Sequence, residues 1–199
     1  SHMAKGLLHE IMNPLNCASQ AVDFANSVNR DVEVADALTD ASTHQKRIAD
    51  IVSDLIEFSR PVPEHSLETA DLGKLVTTAT RFCQHQLRGV ELQTDIPEGT
   101  TVPCYPSALT QVFVNLLLNG VSAVSKNRQP GKIEITAESA DSAHRIVIRD
   151  NGQGIAPDDM KRLTDPFYST SDTPDNLGLG LSICQTIMRH HKGNMSITS

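Results

Sequence analysis

The sequence predicts an α+β chain in two parts: an N-terminal helical hairpin that dimerises into a four-helix bundle, then an α/β sandwich with its helices on one sheet face. Three observations carry that prediction. Residues 4–60 hold two long runs of apolar residues recurring at three- and four-residue steps. Arg60-Pro61-Val62-Pro63-Glu64 then breaks the pattern with two prolines. Beyond it, short strand-like runs alternate with three helical ones.

The first run is Leu8, Ile11, Leu15, Ala18, Val22 and Ala25, a seam for packing another helix. Asn29-Arg30-Asp31 interrupts it, and Val34, Leu38, Ala41, Ile48, Val52, Leu55 and Ser59 continue as a second seam, with Gln45 as its polar exception. A short link between two such helices makes an antiparallel hairpin. One hairpin cannot cover both apolar faces, so a two-fold homodimer is the economical solution; packing on the second domain is the alternative. The expected division is 4–60 for the hairpin, 61–65 for a stiff linker and 66–199 for the second domain.

In that domain Ser66 to Ala70 reads as a short strand, and Asp71 as the N-cap of a helix through about His85. Val90 to Ile96 alternates like a half-buried strand, and Thr101 to Tyr105 is another. Ser107 is placed to cap a long apolar helix, Ala108 to Lys126. Lys132 to Glu138 and Arg145 to Arg149 read as paired strands, Gly180 to His191 as a helix, and Asn194 to Ser199 as the start of a strand.

Composition narrows the function. Of 199 residues 39% are hydrophobic and 21% charged, an ordinary soluble balance. The net charge of −7 argues against nucleic acid as a partner, since phosphate backbones recruit clustered Lys and Arg. Cys17, Cys83, Cys104 and Cys184 are scattered without Cys-x-x-Cys spacing, which suggests neither zinc nor a disulfide framework, and a cytoplasmic setting. No apolar run approaches the roughly 20 residues of a membrane span. Membrane contact is expected only through regions outside this sequence, because Ser1-His2-Met3 reads as an expression-tag remnant.

Four stretches carry chemistry. Leu7-Leu8-His9-Glu10-Ile11-Met12-Asn13-Pro14-Leu15 sets a histidine beside a carboxylate and then puts a proline in a helix interior. The proline cannot donate to the Glu10 carbonyl and crowds it, at a cost of roughly 3 kcal/mol. Asn115 and Asn119 lie four apart on one face of a leucine-rich helix, where poor helix formers demand partners. They form either a hydrogen-bonded pair or part of a Mg²⁺ site, since that ion takes hard oxygen ligands. Asp150-Asn151-Gly152-Gln153-Gly154 ends a buried strand in a turn. A carboxylate there can accept from an adenine amino group while glycines let the backbone approach the base, and a guanine carbonyl would be repelled. Finally Leu177-Gly178-Leu179-Gly180-Leu181-Ser182 opens a helix whose free N–H groups can cradle phosphate, after a polar stretch, 171–176, that reads as a lid or an ordinary loop.

In this order, with Asp165-Pro166-Phe167-Tyr168-Ser169-Thr170 between the last two, the motifs resemble the full series of a sensor histidine kinase over Leu7 to Ser199, in the branch reading His-Glu-Ile-x-Asn-Pro-Leu. The resemblance implies a dimerisation and histidine-phosphotransfer bundle joined to an ATP-binding domain of the fold shared with type II topoisomerases. It implies His9 as nucleophile, Glu10 as its acid-base partner and Asn13 as a residue for dephosphorylating the regulator. Asn115 and Asn119 fall on the magnesium side and Asp150 on adenine. Gly152, Gly154, Phe167, Thr170, Gly178, Leu179 and Gly180 complete the nucleotide pocket and lid. The implied reaction is autophosphorylation of His9 from ATP and Mg²⁺, then transfer to an aspartate of a response regulator receiver domain. Met12, Asn176 and Ser122 depart from the family pattern, Asn176 standing where the lid's first glycine belongs. Lys126 or Arg128 could replace the basic residue expected at 122. A non-enzymatic phosphotransfer or adaptor dimer with a degenerate ATP domain is the alternative; a topoisomerase-type ATPase has no use for the His9 helix.

Overall fold

The computed structural model describes residues 2–58, 67–125, 129–140, 143–169 and 178–199. The expected linker 61–65 lies outside them, as do Thr170, Asn176, Lys126 and Arg128. The chain divides into two compact units, the first built on two helices and the second on the elements from residue 67 onward.

In the first unit α1 (His2–Val28) runs unbroken through Pro14 and packs against α2 (Val32–Phe58). The turn is made by its side chains. Asn29 Oδ1 accepts from the Asp31 amide at 3.1 Å while its Nδ2 donates to the Asp31 carbonyl at 2.6 Å. Asp31 in turn caps α2, its Oδ1 accepting from the Val34 amide at 3.4 Å.

The second unit is a sheet layer under a helix layer. Strand β1 (Glu68–Asp71) pairs antiparallel with β3 (Thr101–Cys104). A separate sheet has the order β2 (Val90–Asp95), β4 (Gly131–Ala140), β5 (Ala143–Asp150), with β2 and β4 parallel and β4 and β5 antiparallel. The helix layer consists of α3 (Leu72–Phe82), α4 (Pro106–Ser125) and α5 (Gly180–His190), α4 lying between the other two and against β4 and β5. Leu72, Val76, Ala79, Val112, Phe113, Leu117, Ile133, Ile135 and Ile183 form its core. By length and mean hydropathy α4 could cross a membrane, contrary to the expectation that no run comes near; here that apolarity is spent on the domain core.

Asp71 caps α3 as expected, accepting from the Lys74 amide at 3.0 Å. The helix ends at Phe82, short of His85, where the Cys83 amide closes on Ala79 and a run of turns leads to Gly89. Ser107 is not the cap of α4. Pro106 opens that helix, its preset φ and missing donor suiting the first position, and the Tyr105 carbonyl accepts from the Leu109 amide at 2.9 Å. Residues 194–199 form no strand: they make no ladder on β5, and Ser199 instead offers Oγ to the Ile155 amide at 2.8 Å.

Candidate functional site

The site is organised by one ridge of α4. Gln111, Asn115, Asn119 and Ala123 recur every four residues and therefore stack along one face, spanning about 18 Å of helix rise. Its buried residues, Leu109, Phe113, Leu117 and Val124, turn into the core, which leaves this polar ridge half-buried at the seam.

One end of the ridge meets the start of α5. Asn115 Nδ2 donates to the Gly180 carbonyl at 3.3 Å, and a methyl group placed on Gly180 would lie 3.9 Å from Asn119 Nδ2. The first N–H groups of α5 have no partner within the helix and sit at its positive end. Helix α5 runs antiparallel to α4. Cys184 Sγ lies 3.8 Å from the Val112 carbonyl, and the Tyr105 amide donates to His191 Nε2 at 2.9 Å. Burial pushes the Cys184 thiol up to about 12, so it is an inert packing group.

The other end meets the turn after β5. Gly120 brings α4 close to the sheet: a methyl there would stand 3.0 Å from Ile133 Cδ1 and 3.8 Å from Asp150 Cβ. Asp150 is exposed, and its Oδ1 accepts from the Gly152 amide at 2.9 Å. Gly152 lies directly on Ala123, whose carbonyl accepts from the Gln153 amide at 3.4 Å. Gly154 has φ +73°, a left-handed conformation that favours glycine. Asn151, which the sequence presents as a turn residue, braces this end: Oδ1 accepts from the Lys132 amide at 2.7 Å and Nδ2 donates to the Pro130 carbonyl at 2.9 Å. The ridge thus joins an anion-attracting helix start to an exposed, oriented carboxylate beside a close-approach glycine. That is a layout for a ligand with phosphate at one end and a hydrogen-bond donor at the other.

Asn115, Asn119, Asp150, Gly152 and Gly180 are therefore brought together, and Gly154 follows the same turn. Gly178 has φ +67° and Leu179 is buried. Phe167 is 65% exposed with φ +67°, a strained state for an aromatic residue, of order 1–3 kcal/mol. A latch beside it went unseen in the sequence. Tyr168 Oη donates to Asp159 Oδ1 at 2.5 Å, and the Arg162 guanidinium stacks 4.2 Å over the Tyr168 ring. The Asp159 bond, then burial, hold the Tyr168 hydroxyl above its usual range. His9 and Glu10 lie on α1, and Asn13 on the same helix is exposed. Ser122 is half-buried on α4.

No trio of His, Cys, Asp or Glu able to hold a metal occurs among the described residues. The hard donors at the phosphate end of the ridge are amide oxygens, which suits an ion that arrives with its ligand and keeps waters. A groove of about 570 Å³ between α3 and the Ile96–Gly99 turn is lined by Lys74 and Arg81 but also by Asp71 and Glu98, and contains none of these residues.

Residues 104–199 match the family described as histidine kinase-, DNA gyrase B-, and HSP90-like ATPase. The whole chain aligns with the sensor histidine kinase ZraS of Escherichia coli (strain K12), 29% identical over 202 residues and covering 42% of that protein. Sporulation kinase C of Bacillus subtilis (strain 168) is 28% identical over 203 residues, again across 100% of this chain and 46% of that protein. Full-length ShkA in complex with AMPPNP superposes with a TM-score of 0.74 over 94% of this chain and 41% of that one, at 21% identity. Histidine kinase ThkA, in its complex with response regulator protein TrrA, gives 0.62 over 97% of this chain and 55% of that one, at 22% identity. The two structures bear on fold, and the chain spans less than half the length of the curated relatives above.

Proposed function

We propose that the chain is the catalytic core of a sensor histidine kinase, which phosphorylates His9 from Mg-ATP and passes the phosphoryl group to an aspartate of a response regulator receiver domain, a reading supported by the ATPase family match over residues 104–199 and by the alignment of the whole chain with ZraS. The observation that carries this reading is the α4 ridge, with Asn115, Asn119 and the start of α5 at one end and Asp150 and Gly152 at the other. The N–H groups opening α5 receive the phosphates. Asp150 accepts from the adenine amino group, which selects ATP over GTP. Asn115 and Asn119 are the residues that would hold Mg²⁺, which supplies charge neutralisation on the phosphates when bound. In the transfer an imidazole nitrogen of His9 attacks the γ-phosphorus, the bond to the ADP oxygen breaks, and Glu10 takes the imidazole proton. Gly154, Phe167, Thr170, Gly178 and Leu179 complete the pocket and lid.

Residues 4–60 serve as the dimerisation and phosphotransfer unit and 66–199 as the ATP-binding one. Phe24 is 68% exposed and Val28 59%, and Val34 and Ile48 on α2 are also exposed, apolar surface that supports a homodimer closing into a four-helix bundle. Asn13, exposed one helical turn from His9, supports a phosphatase activity toward the regulator, in which its amide orients a water. The catalytic core is assigned to the cytoplasm, with any membrane anchor in other parts of the full-length protein.

The test is incubation with labelled ATP and Mg²⁺. Label that is lost in acid and retained in base is expected, and His9→Gln should remove it while leaving the ATP dissociation constant unchanged, because His9 lies on α1 whereas Asn115, Asn119, Asp150, Gly152 and Gly180 belong to the other unit. Undiminished label in His9→Gln would remove the central claim.

A further inference from the structure

The Asn115 side chain has three partners, Gln111, the Gly180 carbonyl and the Cys184 thiol, and the first two dictate its orientation. A backbone carbonyl only accepts, so the Asn115 atom 3.3 Å from the Gly180 oxygen is the donor Nδ2. Asn115 Oδ1 is then turned back along α4, where it accepts from Gln111 Nε2 at 3.2 Å. The two carboxamides form a directed relay, from Gln111 through Asn115 to the first residue of α5. No such bond is made by the Asn119 side chain among the described residues.

The relay is not needed to dock α5. The helix is already fastened at its middle by Cys184 on the Val112 carbonyl and at its end by the Tyr105 amide on His191. Buried Ile183 and Ile187 pack it as well. What the relay adds is the orientation of the first peptide of α5, whose neighbouring N–H groups are those without helical partners. A polar pair at a half-buried seam is accounted for by that orienting effect.

We propose that Gln111 is a positioning residue for the nucleotide phosphates, acting through Asn115 to aim the opening N–H groups of α5. The inference rests on the reading of this site as an ATP site.

The adenine end of the ridge lies further along the helix, about 13 Å away at Gly120 beside Asp150 and about 18 Å away at Ala123 under Gly152, so the effect of Gln111 is confined to phosphate. The experiment compares Gln111→Met and Gln111→Glu with the unmodified chain, measuring dissociation constants for ATP, ADP and adenosine by calorimetry, alongside the melting temperature. Methionine keeps the length and removes the donor. ATP and ADP affinity should fall about fivefold, the worth of one ordinary hydrogen bond, with adenosine unchanged. Glutamate also cannot donate. It draws Asn115 Nδ2 toward itself and turns Oδ1 onto the Gly180 carbonyl, so its loss should exceed that of methionine, again without change for adenosine. Equal ATP affinity in all three proteins overturns the proposal, and so does an equal proportional loss for ATP and adenosine, which marks a merely structural residue. Failure of the unmodified chain to bind ATP would instead overturn the ATP-site reading beneath it.

Discussion

Gly152→Ala isolates the close approach on which the adenine end of the site depends. The added methyl carbon would lie 2.6 Å from Ala123 Cβ, 2.7 Å from the Ala123 backbone carbonyl carbon and 2.7 Å from Asp150 Oδ1. Carbon atoms in contact settle at about 3.5–4.0 Å, so the overlap is on the order of an ångström. Asp150 Oδ1 ends an exposed side chain that can rotate, but Ala123 cannot swing aside. Ala123 belongs to α4, which is anchored by the buried Phe113, Leu117 and Val124. The turn must lift instead, which breaks the 2.9 Å bond from the Gly152 amide to Asp150 and the 3.4 Å bond from Gln153 to Ala123. Overpacking of this kind costs about 1–3 kcal/mol, and a hydrogen bond to a charged group about 1.5–3 kcal/mol. The two overlap, so about 2–3 kcal/mol is the combined expectation, a loss of ATP affinity of roughly 30- to 150-fold by calorimetry. Gly154→Ala is the contrast. There the nearest atom is the rotatable Ser199 Oγ at 3.0 Å, and the obstacle is φ +73°, costing about 1–2 kcal/mol. Asparagine tolerates that conformation, so Gly154→Asn should recover part of the loss and Gly152→Asn none. If Gly152→Ala binds ATP within twofold of the unmodified chain, the steric reasoning is wrong.

Three other outcomes follow from the same geometry. Asp150→Asn should weaken ATP binding more than tenfold, since the amide is neutral and half of its orientations oppose the adenine donor; unchanged affinity would reduce Asp150 to a turn residue. Asn13→Ala should keep autophosphorylation while losing phosphatase activity toward the phosphorylated regulator, and Glu10→Ala should mainly lose the kinase step, typically by about 10²–10⁴-fold for a positioned base. Decay of phosphorylated regulator with ADP and Mg²⁺ is the assay, and decay as fast with Asn13→Ala as with the unmodified chain refutes the water-orienting role. Tyr168, with its folded pKa raised above the unfolded value of about 10, contributes latch stability that is complete below pH 10 and lost as pH rises through the folded value. The ultraviolet titration of the unmodified chain minus that of Tyr168→Phe should therefore have its midpoint above 10 and fall in Asp159→Asn; a midpoint at or below 10 removes the latch.

What the sequence discloses here is whatever is periodic or local. The apolar spacing in α1 and α2, Asp71 three residues before Lys74, and Asp150 at the end of β5 are all decided within one turn or one strand, and the structure has them where that spacing puts them. At the start of α4 two good helix-opening signals stand side by side, and Pro106, preset for the first position, outweighs Ser107 one residue later. The supports of the site are different in kind. Asn151 reaches Pro130 across 21 residues, and Tyr168 reaches Asp159 across a loop, so both depend on registers that no local pattern encodes. Gln111 and Ala123 were legible in principle, because the four-residue step linking Asn115 to Asn119 continues one step in each direction. Neither residue type advertises chemistry: alanine serves by being small under Gly152, and glutamine by donating to another amide.

That ridge also explains how α4 can be both the centre of the fold and the floor of the site. Asparagine is a poor helix former, and two of them weaken α4 by several tenths of a kcal/mol each relative to alanine. Phe113 and Leu117, fully buried on the opposite side, more than offset that cost, since burying one large apolar side chain contributes about 1.5–3 kcal/mol. Substitution on the core side should therefore unfold the domain and substitution on the ridge should not. Phe113→Ala, expected to cost about 3–5 kcal/mol, ought to abolish ATP and adenosine binding together, whereas ridge variants separate them. The separation of stability from ligand specificity on two faces of one helix is what lets its polar face be tuned without losing the fold.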